Sequence, residues 1–145
     1  MNEHRIIKKY PNRRLYDTEE SRYIKLSDIR QLIVDSVPFR VIEKRSESDI
    51  THAVLLQVVA EQSSQAETLF TETLLSELVH RGRGPVAPVI GRFLEQGLRL
   101  FIYQQELFDQ KLRETGNRTD AIRQTTEQTA SQWRSLQEAL LGDLP

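Results

Sequence analysis

Pro11-Asn12 stands between two short runs, Ile6-Ile7-Lys8-Lys9-Tyr10 and Arg14-Leu15-Tyr16, that mix cations with β-branched and aromatic residues. Proline pre-sets φ for the first corner of a tight turn and asparagine tolerates the second, so the flanks fold back as a hairpin. Arg5, Lys8, Lys9, Arg13 and Arg14 place five cations against Glu3 alone in the first sixteen residues. A two-stranded ribbon is one of the shapes that the major groove of DNA admits, so a face for phosphates is the first functional expectation. The competing reading is a solvated face that keeps an edge strand from pairing with other chains.

Downstream of the hairpin, Arg22 to Lys25 reads as a third strand. Ser27 is the expected N-cap of a helix carrying Ile29, Leu32 and Ile33, which Pro38 closes. Phe39 to Glu43 returns to an extended alternation, and a second helix with Val54, Leu55, Val58 and Val59 on its buried face starts near Thr51. With Thr51 as N-cap, Ile50 and Leu55 take the positions of a hydrophobic staple. The fold class expected is α+β: a small N-terminal β-hairpin/α/β/α module over residues 3–63, followed by long α-helices. Ser63-Ser64-Gln65 reads either as a break or as the polar face of a continuing helix.

A helix with Leu69, Phe70, Leu74, Leu75, Leu78 and Val79 at helical spacing ends at Gly82-Arg83-Gly84-Pro85. That glycine pair is not a phosphate-cradling loop, which follows a strand and has a wider spacing. Ala87, Ile90, Leu94, Leu98, Phe101, Gln105, Phe108 and Leu112 then form a seam close to the coiled-coil period, and Val89, Phe93, Leu100, Tyr103 and Leu107 form a second row. Two partners are implied, one being the preceding helix folded back and the other a second subunit. Residues 64–115 are therefore read as a helical-hairpin or coiled-coil-like oligomerisation region. Its contact residues are Ile90, Phe93, Leu94, Leu98, Phe101, Phe108 and Leu112, and the expected assembly is a homodimer or homotetramer. After a break at Thr115-Gly116-Asn117, residues 116–145 form a polar amphipathic helix with Ile122, Thr126, Thr129, Trp133, Leu136 and Leu140 in its seam. Such a Thr-rich helix is marginal on its own. It either packs on the bundle or lies at an apolar surface.

The run "RIIKKYPNRRLYDTEESRYIKLSDIRQLI", followed by "FRVIEKRSESDITHAVLLQVVAEQ", resembles the N-terminal DNA-binding domain of the polyhydroxyalkanoate (PHB/PHA) synthesis repressors, bacterial regulators of polyester-granule accumulation. The family signature is a lysine pair, Tyr-Pro-Asn-Arg-Arg-Leu-Tyr-Asp-Thr, and Tyr-Ile-x-Leu-x-Asp-Ile; here it falls at Lys8 to Thr18 and Tyr23 to Ile29. Lys25 stands where the family more often has threonine. The stretch "FLEQGLRLFIYQQELF" resembles the segment after that domain, less specifically. The resemblance implies a repressor of granule-coat genes that binds double-stranded DNA and is released when polymer accumulates and binds it. The expected DNA contacts are Arg5, Lys8, Lys9, Asn12, Arg13, Arg14 and Tyr16; Trp133, Leu136 and Leu140 are the expected polymer-binding residues. The alternative is a granule-associated or scaffold protein without sequence-specific DNA binding.

Charge and composition agree with a basic module on an acidic body: residues 1–45 carry a net +4 and residues 46–145 a net −5. A mean hydropathy of −0.51 suits chain lying at the surface of long helices. With no cysteine there is no thiolate chemistry, and His4, His52 and His80 are too far apart to suggest a metal site. No cofactor, catalytic residue or membrane span is expected, and a cytoplasmic protein of the nucleoid and granule surface is.

Overall fold

The computed structural model describes residues 3–63 and 69–145, which fall into two compact units, Met1–Thr71 and Glu72–Pro145. The architecture is α+β, as expected. Ser64 and Gln65, within the segment read as a break or a continuing helix, lie outside the described residues.

The first unit is a four-stranded sheet of order β3-β2-β1-β4, with β1 Arg5–Lys9, β2 Leu15–Asp17, β3 Arg22–Ile24 and β4 Phe39–Glu43. β1 pairs antiparallel with β2 and parallel with β4. Helix α1, Leu26–Val34, carries the chain from the β3 edge to the β4 edge, and α2, Thr51–Ser63, follows β4. Alternation along the strands puts Ile7, Leu15, Ile24 and Val41 on one face. There they form a single buried core with Ile29 of α1 and Val54 and Val58 of α2.

Local chemistry sets the helix ends. The N-cap of α1 is Lys25, not Ser27: its backbone N–H donates to Asp28 Oδ2 at 2.8 Å, and Ser27 lies inside the helix. The chain enters the helix at Leu26, so Asp28 stands at the third helical position and its carboxylate reaches back to the N-cap amide, whereas Ser27 is already the second helical residue. The other end is a Schellman cap, with Ser36 at φ 56° and the Val37 N–H on the Leu32 carbonyl at 2.8 Å, and Pro38 follows. Thr51 is likewise the first helical residue rather than a cap. Its hydroxyl accepts the Val41 N–H at 2.8 Å and donates to Asp49 Oδ1 at 2.6 Å, tying the helix to β4. Ile50, the residue before it, packs against the core.

Asp17 and Asp49 brace this unit. Asp17, with 3% of its side chain exposed, meets Arg5 in a two-pronged pair, Nε–Oδ1 at 3.1 Å and Nη2–Oδ2 at 3.0 Å, and accepts the Glu19 and Glu20 amides. Burial pushes its carboxyl up, but the Arg5 hydrogen bond and the two amides together hold it below the ordinary value. Asp49 is held at about 2 by the Thr51 hydroxyl and amide and by Arg40.

The second unit contains α3, Glu72–Arg81, a 3-10 turn at Gly84–Val86, and two long helices, α4 Ala87–Thr115 and α5 Arg118–Gly142. Gly82 permits the close of α3, because a Cβ there would stand 2.3 Å from the Leu78 carbonyl oxygen. The two long helices are joined by Gly116, at φ 65° with its N–H on the Leu112 carbonyl, and Asn117, whose Oδ1 accepts the Thr119 and Asp120 amides. So short a connection makes the helices antiparallel neighbours. Arg92 pairs with Asp143 at 2.8 Å, and Trp133 Nε1 donates to Gln104 Oε1 at 2.7 Å.

This pairing corrects two expectations. The intrachain partner of α4 is the following helix, not the preceding one; α3 buries none of its residues. The buried stripe of α5 is Ala121, Thr125, Thr129 and Leu136, whereas Ile122 and Thr126, placed in the seam by periodicity, are exposed. A stripe of small residues lets the two backbones approach closely, which a seam led by Ile122 would prevent.

Two outcomes follow from these contacts. Ile29→Ala should cost about 2–5 kcal/mol of stability, as removal of a fully buried aliphatic does, and Ile33→Ala on the outer side of the same helix about 1 kcal/mol or less. Urea titration followed by circular dichroism measures both, and equal losses would refute the facing of α1. Because the Asp17 and Asp49 pKa values are depressed, their stabilisation is fully present above the ordinary carboxylate value and is lost as pH falls through the folded one. The urea midpoint should therefore hold down to about pH 4.5 and drop towards pH 2. Asp49→Asn should make that drop shallower between about pH 4 and 2.

Candidate nucleic-acid interface

The β1–β2 turn is a type I turn followed by a left-handed residue. The Arg13 N–H bonds the Tyr10 carbonyl and the Tyr10 N–H bonds the Arg14 carbonyl, both at 2.9 Å, and Arg13 sits at φ 66°. Asn12 completes the corner by accepting the Arg14 N–H on its side-chain oxygen at 3.1 Å. Asn12 thus serves the turn, and Arg13 is exposed at its tip.

Strand parity sorts the remaining cations. Ile6 and Lys8 of β1, Tyr16 of β2, Tyr23 of β3 and Arg40 and Ile42 of β4 share the sheet face opposite the core. In one lateral row Tyr23 lies beside Tyr16, Tyr16 beside Lys8, and Lys8 beside Ile42. Tyr10 joins this row from the turn. Its ring centroid is 6.3 Å from that of Tyr16 and 6.2 Å from that of Tyr23, and Tyr16 and Tyr23 meet edge to face at 5.3 Å. Two cations lie over this cluster: the Arg14 guanidinium is 4.0 Å from the Tyr23 centroid, and Lys44 Nζ is 4.5 Å from that of Tyr10.

Arg5 and Lys9 have the opposite parity and belong to the core side of the sheet. Arg5 is 12% exposed at its side chain and is occupied by Asp17, by Glu20 at 3.0 Å and by Glu19 at 3.7 Å. A guanidinium neutralised by three carboxylates is a strut of the sheet edge, not a free phosphate ligand. Arg40 is similarly tied to Asp49 and Arg22 to Glu20. Among the described residues Lys8, Arg13, Arg14 and Lys44, which share the face or its tip, have no carboxylate partner, and neither has Lys9 on the core side.

Of the seven residues expected to touch DNA, the fold therefore gathers Lys8, Arg14 and Tyr16 on one surface with Arg13 at its tip, and gives Arg5, Lys9 and Asn12 other surroundings. Tyr10, Tyr23 and Lys44 belong to the same surface and were missed. The tyrosines could have been found by parity, since Tyr10 is two residues from Lys8 and Tyr16 and Tyr23 lie on adjoining antiparallel strands. Lys44 could not, because it arrives through a parallel pairing with a strand thirty residues away, as the Lys8–Ile42 register shows.

Among the described residues no group of three or more histidine, aspartate or glutamate side chains is arranged to hold a metal ion, and no helix is long and apolar enough to cross a membrane. The residues expected to oligomerise lie along α4, with Leu94, Leu98 and Phe101 at 41%, 57% and 57% exposure. Of the residues expected to meet polymer, Leu136 is buried, and Trp133 and Leu140 are half-buried.

Comparison with known proteins places this geometry in context. Residues 6–66 match the model of the PHB/PHA accumulation regulator DNA-binding domain. An "Uncharacterized protein" of Allochromatium vinosum is 40% identical over 141 residues, which cover 97% of this chain and 91% of that protein. An "Uncharacterized protein in phbA 5'region" of Thiocystis violacea is 41% identical over 138 residues, covering 95% of this chain and 99% of that one. No solved structure matches. The matched segment contains the four strands except Arg5 at the start of β1, both helices of the first unit and the whole tyrosine-and-cation face, and the chain belongs to the family of PHB/PHA accumulation regulators.

Proposed function

We propose that this chain is a transcriptional repressor of polyhydroxyalkanoate accumulation and granule-coat genes that binds double-stranded DNA through the hairpin face of its first unit. The observation that carries the reading is the gathering of Lys8, Arg13, Arg14 and Lys44, all without carboxylate partners, on one surface of the domain matched as DNA-binding. The name of the Thiocystis relative, which sets that protein in the 5′ region of phbA, agrees with a role beside polymer genes. Arg13, at the tip, suits a base edge or a phosphate, and the lysines suit phosphate. The protein acts in the cytoplasm, at the nucleoid and at the granule surface.

The repressor works as a homodimer or homotetramer joined along α4. One side of that helix is taken by α5, and the side bearing Leu94, Leu98, Phe101 and Leu112 is available to a second copy. Polymer sensing rests with α5. In the helical hairpin its Leu136 faces α4 and its Trp133 is bonded to Gln104, so the tail meets polymer by leaving α4. Its stripe of Ala121, Thr125 and Thr129 buries little apolar area, which keeps that exchange within reach of a modest binding energy.

Arg13→Gly is the decisive variant, because glycine relieves the left-handed backbone while removing the side chain. It should stabilise the fold by about 1 kcal/mol and yet weaken DNA binding. A more stable protein with undiminished retardation of DNA in a gel would overturn the assignment of Arg13. If each subunit of a dimer neutralises three or four phosphates, the logarithmic salt slope should be about −5 to −7. Phe101→Asp should yield monomers by light scattering that keep their helicity, since the ring is not needed inside the hairpin; an unchanged oligomer would place the interface elsewhere. Adding polymer granules should move the Trp133 emission, and unaltered emission with normal release of DNA would locate the sensor outside α5.

A further inference from the structure

Three tyrosines on a DNA-binding face are a puzzle if the ligand is a closed duplex. Neighbouring strands lie about 4.8 Å apart, so a four-stranded sheet spans about 14 Å before its side chains are counted. The major groove is about 12 Å wide and admits a helix or a two-stranded ribbon, not this whole face. Only the turn end of the hairpin enters such a groove. Tyr16 and Tyr23, on β2 and the edge strand β3, would be left against the sugar-phosphate wall, where an aromatic ring has nothing to stack on. Yet the rings are not withdrawn into the core: Tyr23 is 48% exposed, and the cluster lies on the face opposite the core.

The arrangement has the two components that an unpaired strand requires. Base faces need aromatic surface, and the backbone needs cations interleaved with it at close range. Tyr10, Tyr16 and Tyr23 meet edge to face or tilted, so no ring is paired with another in a parallel stack. Arg14 over Tyr23 and Lys44 over Tyr10 bring a positive charge to the rim of the ring cluster, and Lys8 adds a third beside Tyr16. A guanidinium already lying over a tyrosine ring is itself a plane on which a base can rest.

We propose that this tyrosine-and-cation face binds unstacked bases, so that the domain holds an unpaired DNA strand or a locally opened segment of a duplex. The inference rests on the reading of this face as a DNA contact and adds the state of the DNA that it holds. Tyr23, on the edge strand, is the principal stacking residue, Arg14 backs it, and Lys8 and Lys44, on the β1 and β4 side of the ring cluster, hold the phosphates.

Fluorescence polarisation on the full chain tests this with one mixed sequence of about twenty nucleotides in three forms, chosen by the site sizes of such platforms: the single strand, its duplex, and the duplex with a central unpaired bubble. At one salt concentration the single strand and the bubble should bind more tightly than the closed duplex. Tyr23→Leu, which keeps an apolar side chain over the sheet, should weaken the first two about 5- to 100-fold and the closed duplex less than about twofold, while Tyr23→Phe leaves all three unchanged. If the closed duplex binds as tightly as the other forms, or if Tyr23→Leu weakens all three alike, stacking on unpaired bases is overturned while DNA binding stands. If none of the three forms binds at low salt, the DNA reading itself fails.

Discussion

The central strand β1 is hydrogen-bonded on both edges, antiparallel to β2 and parallel to β4, and its five residues alternate between two environments. Ile7 is fully buried beside Val41, and Lys8, one residue on, is exposed between Tyr16 and Ile42. A slip of one residue would bury the lysine and expose the isoleucine, so the apolar core and the cationic face are specified by the same register. The Arg5–Asp17 pair pins that register at the strand's start, where the Asp17 carboxylate also accepts two turn amides.

What reads in the sequence as one basic stretch is therefore two populations. Arg5, Arg22 and Arg40 answer local carboxylates and hold the sheet edge and the β4–α2 corner together. Lys8, Arg13, Arg14 and Lys44 have no such partner, and two of them lie over tyrosine rings. Arg5 is desolvated as well as partnered, with 12% of its side chain exposed, and Arg22 and Arg40 are partnered at the surface; exposed and unpartnered cations are what a polyanion can use. The net charge of the first forty-five residues does not separate the two kinds, because a paired arginine counts in it as fully as a free one.

The second unit divides an apolar surface in another way. α4 carries more apolar residues than a single neighbour can cover, and α5 takes the side of Val89, Leu100 and Leu107. Phe101 and Leu98 are left at more than half exposure on the opposite flank. The polar, threonine-rich composition of α5 suits a close helix pair held by backbone proximity and by the Trp133–Gln104 hydrogen bond rather than by large side chains.

The sequence by itself determined the elements and most of their ends, since turns, caps and periodicities are written in residues within four positions of each other. Pro11-Asn12 made the hairpin, Gly116-Asn117 closed one helix and opened the next, and the alternation of Ile7 and Lys8 was legible as two faces. The cap of α1 was misplaced by two residues because the helix starts at Leu26, where the Asp28 carboxylate reaches back to the Lys25 amide, one residue ahead of the hydroxyl expected to cap it. Only the tertiary structure decided which elements meet. The parallel partner of β1 lies some thirty residues downstream, which is what brings Lys44 to Tyr10. Likewise a seam tells how many neighbours α4 needs but not which helix fills the place. That choice fell to α5, because a two-residue link and a stripe of small side chains let it lie against α4.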